Sequence, residues 1–429
     1  MKFEKYRISE NLKKSLAEKG FKRPTDIQFK SIPPILRGED VLAIAQTGTG
    51  KTAAFAIPVM EKLLSNKVKG NRKKAIRCLV MAPTRELAEQ ITEVFKSIGK
   101  YTKLSTLCIY GGVPQDDQIE QLEKGVDILV TTPGRMFDLN HQGYINLKSI
   151  EVLVLDEADH MLEKGFIKDI KDVIKIIPKH RQTLFFSATI DEQIKKLAYS
   201  LVRNAIRIQI SPKDPVSKNV NHGVVFVSMD DKRYFLERIC KENPDQKILV
   251  FVRTQVRAER VLKAMERVDI SAVSIHGGKA QKERFEAMKS YKNGDVKMLI
   301  ATDVSARGID IPNVQFVVNY DLPEEPENYV HRVGRTGRGT EKGDAIAFCA
   351  ENEKELLMAI EEFTTTKIAV HAMDKGEYAG IVGNSEETST DWKTVMKEIA
   401  SDQASYKEAK KKSNRKKEKK KAIKKAKKK

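Results

Sequence analysis

Short apolar segments alternate with longer helical patterns along most of this chain, and this alternation limits the possible fold more than any other feature. In the first half we predict seven strands, at Val41–Ile44, Cys78–Ala82, Thr106–Tyr110, Ile128–Thr131, Val152–Leu155, Leu184–Phe186 and Ile206–Ile210. Apolar strands that alternate with helices are typical of a parallel sheet covered by helices on both faces. The first half is therefore expected to form an α/β domain.

A second series of the same kind follows a break in the pattern. The break, Ser211–Lys218, contains two prolines and several polar residues, as linkers do. The next strands are predicted at Val224–Val227, Ile248–Val252, Ala272–Ile275, Met298–Ala301, Val314–Asn319 and Ala345–Cys349. A chain of 429 residues also exceeds the size at which a single core stops growing. We predict two α/β domains of one type, at 1–210 and 219–372, joined by a linker at 211–218.

Positive charge is concentrated at the C-terminal end. The formal net charge is +19, and Lys407–Lys429 alone contains 15 basic and two acidic residues. Basic tails of this kind bind polyanions or remain solvated, and they do not fold alone. We therefore expect residues 373–429 to be a polar, lysine-rich and largely disordered tail.

The remaining composition indicates a cytoplasmic protein. No apolar segment approaches the length of a membrane span, and the N-terminus lacks the apolar core of a secretion signal. The four cysteines are widely spaced and form no metal-binding pattern. Buried thiols in a reducing compartment are the expected state.

Two short segments, each directly behind a predicted strand, carry recognisable chemistry. In Ala45–Thr52, glycines allow backbone N–H groups to turn toward a polyphosphate, while Lys51 and Thr52 reach phosphate oxygens and Mg²⁺. Asp156–Asp159 places two adjacent carboxylates at the C-terminal end of a strand, where open α/β sheets bind ligands. One carboxylate can hold Mg²⁺, and its neighbour can orient a water molecule against a γ-phosphate. Together the segments predict a nucleoside triphosphatase.

The second half has no phosphate loop but contains its own marked segment, His331–Arg338. Arginine occurs there at every third position and is accompanied by glycine. This pattern suits guanidinium groups that are presented to phosphates rather than packed on a helix face.

About a dozen segments, in the right order, resemble the motifs of the DEAD-box ATP-dependent RNA helicases over nearly all of the chain from Phe3 to about Cys349. They are Gly20–Gln28 with Phe3 as the upstream aromatic residue, Ala45–Thr52, Pro83–Gln90, Gly111-Gly112, Thr132–Arg135, Asp156–Asp159, Ser187–Thr189, Phe251–Thr254, Gln281–Arg284, Ala301–Asp310 and His331–Arg338. Ala45 replaces the usual first glycine of the phosphate loop, which is normal in this family. The chain looks like a bacterial-type member with a short basic tail, and the resemblance implies two tandem RecA-like domains.

The resemblance implies an ATP site shared by both domains, with Mg²⁺. Gln28 would bond adenine N6 and N7, which favours ATP over GTP, and Lys51 would neutralise the β- and γ-phosphates. Glu157 would orient or deprotonate the attacking water, and Thr52 and Asp156 would place Mg²⁺. The implied catalytic residues are Lys51, Glu157 and two arginine fingers, Arg335 and Arg338. The implied nucleotide-binding residues, including a base-stacking aromatic and a ribose contact from the second domain, are Phe21, Gln28, Thr47, Gly48, Thr49, Gly50, Lys51, Thr52, Gly308 and Asp310.

The same resemblance implies an RNA interface that recognises backbone rather than bases. The implied contacts are small, polar or cationic residues, which suit phosphates and 2′-hydroxyls. They are Pro83, Thr84, Arg85, Gly112, Thr132, Pro133, Gly134, Arg135, Arg253, Gly277, Gln281, Arg284 and Arg307. Plain turn chemistry explains Thr132 and Gly277 nearly as well. The residues implied to couple hydrolysis to strand separation are Ser187, Thr189, Asp159 and His331.

The sequence leaves two other functions open. One is a DNA helicase or translocase on the same paired domains, against which the Gln28 segment and Pro83–Gln90 argue. The other is an ATP-gated RNA clamp or chaperone that unwinds little, against which the intact hydrolytic set argues. Single-stranded RNA and short duplexes are the expected partners. Ribosome assembly, mRNA decay and cold adaptation fit the sequence equally, with ribonucleoprotein or ribosome-assembly complexes as compatible partners.

Overall fold

The protein is represented by a computed structural model that describes residues 2–46, 48–66, 75–190, 192–210, 216, 219–306, 311, 314–337 and 342–383. The strands of the first sheet are β1 (Val41–Ala45), β2 (Cys78–Met81), β3 (Thr106–Ile109), β4 (Ile128–Thr131), β5 (Val152–Leu155), β6 (Gln182–Ser187) and β7 (Ile206–Ile210). Those of the second sheet are β8 (Val220–Phe226), β9 (Ile248–Val252), β10 (Ala272–Ile275), β11 (Met298–Thr302), β12 (Phe316–Asn319), β13 (Gly343–Cys349) and β14 (Ala369–Val370).

Helices connect most of these strands. In the first half they are α1 (Glu10–Glu18), α2 (Asp26–Leu36), α3 (Lys51–Ser65), α4 (Arg85–Ile98), α5 (Asp116–Lys124), α6 (Pro133–His141), α7 (Ala158–Glu163), α8 (Ile167–Ile176) and α9 (Glu192–Leu201). In the second half they are α10 (Lys232–Glu242), α11 (Gln255–Glu266), α12 (Gln281–Asn293), α13 (Asp303–Ala306), α14 (Pro326–Val333), α15 (Lys354–Thr364) and α16 (Lys375–Gly383). Short 3₁₀ helices lie at Phe3–Lys5 and Glu351–Glu353.

The predicted α/β fold with two parallel sheets is confirmed. The strand order is β3-β4-β2-β5-β6-β1-β7 in one sheet and β10-β11-β9-β12-β13-β8-β14 in the other. Every strand pairing is parallel, for example β1 with both β6 and β7, and β13 with both β12 and β8. Residues 1–373 contain both sheets and form one compact unit.

Every predicted strand is present, and the differences lie where the sequence is polar or short. Strand β8 begins at Val220, four residues before the predicted start, because the polar pair Asn221-His222 hides the strand pattern. Strand β14 has only two residues and was not predicted. Helix α16 lies inside the segment predicted to be a tail. The rest of that tail, 384–429, and most of the predicted linker lie outside the described residues.

Both faces of the first sheet are buried, as the continuous apolar strands require. In β1, Val41, Ala43 and Ala45 pack into a core that includes α3 and α4, whereas Leu42 packs into a core on the opposite face. Since all strands are parallel, their carboxyl ends meet at one edge of each sheet, and ligand sites of open α/β sheets lie at that edge. The predicted motifs follow these carboxyl ends.

Candidate active site and RNA interface

The phosphate loop leads from β1 into α3. Gly48 and Gly50 have φ angles of 79° and 92°, in the left-handed region that favours glycine. A Cβ atom at Gly50 would also lie 2.5 Å from Gln28 Nε2, so a larger residue there would displace the Gln28 amide. Lys51, the first residue of α3, is only 6% exposed, and its Nζ has no hydrogen-bond partner among the described residues. A buried, unpartnered ammonium at a helix N-terminus fits a bound polyphosphate. Thr47 lies outside the described residues.

Gln28 connects the predicted adenine-reading segment to this loop. Its Nε2 donates to the Gly50 carbonyl at 3.2 Å, and its Oε1 accepts from the Thr25 backbone N–H at 3.0 Å. An amide side chain has two donor hydrogens and two acceptor lone pairs, so one of each remains for a base. Phe21 packs edge-on against the buried Phe3, with ring centroids 5.7 Å apart. Gln28 is thus bonded directly to the loop, while Phe21 is packed against Phe3.

The acidic segment follows β5 at the middle of the first sheet. Asp156 is 2% and Glu157 6% exposed, and Glu157 has a positive φ of 51°. Burial raises the pKa of Asp156 to about 7, and the nearby Lys51 only partly offsets this. Burial would also raise the pKa of Glu157, but His160, Lys51 and Arg335 together outweigh it and lower that pKa to about 2. The two adjacent carboxyl groups therefore differ chemically, as separate roles require.

The donor set fits Mg²⁺ that is held mainly by substrate. The described residues contain no group of three or more His, Cys, Asp or Glu side chains able to hold a metal. Mg²⁺ is usually bound by one or two protein oxygens, several waters and substrate phosphates. Asp156 would supply such an oxygen: burial raises the pKa of this carboxyl, and Lys51 offsets that effect only in part. Thr52 follows Lys51 in the first turn of α3.

Asp159, the last residue of the acidic segment, joins β5 to β6. Its Oδ2 accepts hydrogen bonds from the backbone N–H groups of Ala188 and Thr189, at 2.9 and 3.0 Å, and from the Thr189 hydroxyl at 3.3 Å. Ser187, at the end of β6, is fully buried, and its hydroxyl has no hydrogen-bond partner in the described part of the chain. Three of the four predicted coupling residues therefore lie together. The fourth, His331, lies on α14, where its carbonyl accepts from Arg335 Nε at 3.2 Å.

The arginine segment behaves differently from the sequence expectation at one position. Arg332 is 1% exposed and forms two hydrogen bonds with Asp303, at 2.6 and 2.7 Å. It is therefore buried against a carboxylate and not presented to a phosphate. The sequence pattern could not show this pairing, because Asp303 lies 29 residues earlier in the chain. Arg335, by contrast, lies near enough to Glu157 of the first half to lower the pKa of that carboxyl. Arg338, Gly308 and Asp310 lie outside the described residues.

The predicted RNA contacts of the first half follow β2, β3 and β4, which are neighbours in the sheet. Thr84 caps α4 by accepting from the Leu87 N–H at 3.2 Å, and Arg135 Nη2 donates to the Val113 carbonyl at 2.7 Å. Gly112 has a φ of +85°, and a Cβ atom there would lie 2.4 Å from the Arg85 guanidinium. Pro83 precedes Thr84, and Thr132, Pro133 and Gly134 form the start of α6. These residues share the edge that carries the acidic segment.

Arg85 also contacts the second half of the chain through a small polar network. Arg85 Nη1 donates to Gln281 Oε1 at 2.9 Å, and Gln281 Nε2 donates to Glu86 Oε1 at 2.7 Å. The same Glu86 oxygen pairs with Arg284 Nη2 at 2.9 Å. The rings of Tyr110 and Phe285 lie beside this network, with centroids 6.1 Å apart. Three predicted RNA contacts, Arg85, Gln281 and Arg284, thus meet around the buried carboxylate of Glu86.

Glu86 was not assigned a role from the sequence. It lies inside the motif Pro83–Gln90, but Gln281, its hydrogen-bond partner, is 195 residues away, and local pattern cannot reveal such a pairing. The other predicted contacts of the second half are Arg253, which follows β9, and Gly277, which follows β10. Arg307 lies outside the described residues.

Comparison with known proteins identifies the family of this chain. The DEAD/DEAH box helicase family matches residues 25–197, and the helicase conserved C-terminal domain matches residues 231–340. The chain is 40% identical over 376 residues to the ATP-dependent RNA helicase RhlB of Shewanella woodyi, an alignment that covers 87% of this chain and 85% of that protein. It is 39% identical over 366 residues to the DEAD-box ATP-dependent RNA helicase CshA of Bacillus licheniformis, covering 85% and 74%. The chain therefore belongs to the DEAD-box helicases, and it is an ATP-dependent RNA helicase that acts as an ATPase.

Solved structures of this family have the same arrangement of two RecA-like domains. S. cerevisiae Dbp5 bound to RNA and ADP BeF3 aligns with a TM-score of 0.78 and 29% identity, covering 89% of this chain and 99% of that one. The DEAD-box helicase Mss116 bound to ssRNA and UDP-BeF aligns with a TM-score of 0.80 and 28% identity, covering 90% and 83%. Within the described residues, no helix is both long and apolar enough to span a membrane.

Proposed function

We propose that this protein separates short RNA duplexes by closing two RecA-like domains, at about 1–210 and 219–372, on ATP and RNA. The proposal is carried by the meeting of the two halves: Gln281 of the second bonds Glu86 of the first at 2.7 Å, and Arg335 of the second helps to lower the pKa of Glu157. Arg335 belongs to the second half of the chain, and Glu157 lies at the end of β5 in the first. An active site divided in this way is complete only when the halves meet.

The roles within this site follow from burial and charge. Lys51, buried and without a hydrogen-bond partner among the described residues, binds the β- and γ-phosphates. Asp156 and Thr52 would hold Mg²⁺, which would neutralise charge on the phosphate oxygens. Glu157, whose pKa is low, orients the attacking water. Arg335 approaches the developing charge as an arginine finger, a role that Arg338 shares in the proposal.

In the proposal, RNA and nucleotide bind at the same carboxyl edge of the first sheet, on neighbouring groups of strands. In the first sheet the proposed RNA contacts follow β3, β4 and β2, whereas the acidic segment follows β5 and the phosphate loop follows β1. Relatives whose structures contain RNA and a nucleotide analogue support both ligands for this chain. Closure would grip and bend one strand through its backbone, with little reading of bases.

The test compares two substitutions, one expected to impair both ATP binding and hydrolysis and the other only hydrolysis. Lys51→Ala removes a phosphate contact made in the ground state, so both ATP affinity and hydrolysis should collapse. Glu157→Gln keeps the shape but removes the carboxylate, so ATP and RNA should remain bound together without turnover. Nucleotide binding, RNA binding and phosphate release are measured for both variants. Hydrolysis at the wild-type rate by Glu157→Gln would show that another group orients the water.

A further inference from the structure

A buried ionic cluster lies beneath the RNA-facing edge of the second sheet. Its centre is Glu353, in the 3₁₀ helix after β13, whose side chain is 1% exposed. Glu353 Oε2 accepts from Lys232 Nζ at 2.5 Å, and Glu353 Oε1 accepts from Arg253 Nη2 at 2.7 Å. Lys232 is fully buried, whereas the Arg253 side chain is 27% exposed. One carboxylate therefore joins a buried cation to a surface cation.

Two backbone N–H groups also donate to the Glu353 carboxylate. The N–H of Leu322, which follows β12, donates to Oε1 at 3.3 Å, and the N–H of Ala350, which follows β13, donates to Oε2 at 3.1 Å. With Arg253 after β9 and Lys232 at the start of α10, four separate segments meet at this carboxylate. Its position is consequently determined by the fold and not by Arg253 alone.

The cluster binds both the backbone and the guanidinium of Arg253. Its backbone N–H donates to Asp321 Oδ2 at 3.2 Å, and its guanidinium donates to Glu353. A guanidinium has five N–H donors in a rigid plane, so bonding one edge to a fixed carboxylate orients the others. Such a group can bind a phosphate bidentately on its exposed side with little loss of side-chain entropy.

We propose that Glu353 is a positioning residue for RNA binding, which aims the Arg253 guanidinium at the phosphate backbone of bound RNA. The inference rests on the proposed function, in which Arg253 contacts RNA. Lys232 is part of the same device: its ammonium bonds Glu353 and lies 3.7 Å from Asp321, which Arg257 also approaches at 3.3 Å. The two buried carboxylates therefore have cations other than Arg253. Glu353 itself does not touch the ligand.

The experiment is a double-mutant cycle on the full chain. Arg253→Gln, Glu353→Gln and the combined variant are compared with wild type, and Glu351→Gln serves as the control because that side chain is 87% exposed in the same 3₁₀ helix. Affinity is measured with a fluorescent single-stranded oligouridylate in the presence of a non-hydrolysable ATP analogue. The RNA concentration for half-maximal ATPase and the maximal rate at saturating RNA are measured separately.

If Glu353 acts through Arg253, each single substitution weakens RNA binding about tenfold, and the combined variant binds no more weakly than Arg253→Gln alone. The half-saturating RNA concentration rises accordingly, while the maximal rate at saturating RNA changes much less. Additive losses, or wild-type affinity for Glu353→Gln beside a weakened Arg253→Gln, overturn the positioning role. Wild-type affinity for Arg253→Gln instead overturns the proposed RNA contact on which that role rests.

A second variant decides the question if Glu353→Gln fails to fold. Arg253→Lys retains the surface charge and lies at a partly exposed site, so folding is not at risk. A single ammonium that bonds Glu353 has no planar fork to offer a phosphate, so Arg253→Lys should bind RNA as weakly as Arg253→Gln. Wild-type RNA affinity for Arg253→Lys would overturn the proposal.

Discussion

Replacing Glu86 by glutamine should loosen the contact between the two halves of the protein. Glu86 Oε1 receives Gln281 Nε2 at 2.7 Å and Arg284 Nη2 at 2.9 Å, so one carboxylate of the first half holds two side chains of the second. Both partners of the ion pair are largely buried, with side chains 8% and 13% exposed. Solvent therefore screens this pair much less than it screens a surface salt bridge.

The magnitude follows from what glutamine keeps and what it loses. The amide oxygen of the introduced glutamine can still accept hydrogen bonds, so the geometry survives and only the charge assistance is lost. Hydrogen bonds to charged groups contribute ~1.5–3 kcal/mol, against ~1 kcal/mol for neutral ones. Burial, with a smaller contribution from Arg85, lowers the pKa of Arg284 against the opposing effect of Glu86, and glutamine would remove that opposing charge. We expect a net loss of ~2 kcal/mol, or roughly a 30-fold shift away from the contacting state.

The shift can be measured by single-molecule energy transfer between dyes on the two halves. Tyr199 and Met358 are 54% and 58% exposed, so Tyr199→Cys and Met358→Cys provide attachment sites. Burial raises the pKa of the native thiols Cys240 and Cys349 to about 12 and about 11, so they react slowly. Glu93→Gln is the matched control, because Glu93 makes the same charge change from an exposed position on α4.

In Glu86→Gln, fewer molecules should show high energy transfer, which marks the state with the halves in contact, when RNA is absent. Added RNA should restore part of this high-transfer population, because phosphates can stand between the same arginines. The reasoning fails if Glu86→Gln and wild type give the same distribution, or if Glu93→Gln lowers the population equally. In either case the network around Glu86 would contribute nothing to holding the halves together.

Three further outcomes test other parts of the mechanism. Asp159→Asn weakens the bonds to the Ala188-Thr189 backbone, so duplex separation should fall at least about tenfold while ATP hydrolysis falls less; equal losses would exclude a coupling role. A fragment ending near Ser211 lacks Arg335 and should bind nucleotide weakly without RNA-stimulated hydrolysis, and such stimulation in the fragment would refute a divided active site. Ending the chain at Ser405 removes the basic tail, which should weaken RNA binding and make it less dependent on salt, with the maximal ATPase rate at saturating RNA nearly unchanged. Identical affinities and salt slopes for the two chains would leave the tail without an RNA role.

The architecture was largely predictable from local sequence. A buried parallel strand must be apolar on both faces, so strands such as Ile128–Thr131 and Val152–Leu155 stand out as continuous apolar runs. The phosphate loop and the acidic segment were equally visible, because their chemistry is carried by neighbouring residues. β8 was predicted too short and β14 was missed, since polar or very short strands carry a weak signal.

The sequence by itself therefore determined the fold class, the strands and the local motifs of this helicase, because each depends on residues close together in the chain. Only the tertiary structure decided which charges are paired. Arg332 belongs to a regular arginine pattern, yet it is buried against Asp303, while Arg335 in the same pattern lies near Glu157. Glu353 likewise meets Arg253 across 100 residues of chain. The partner of a cation depends on which strands are neighbours in the folded sheet, and local sequence does not specify those neighbours.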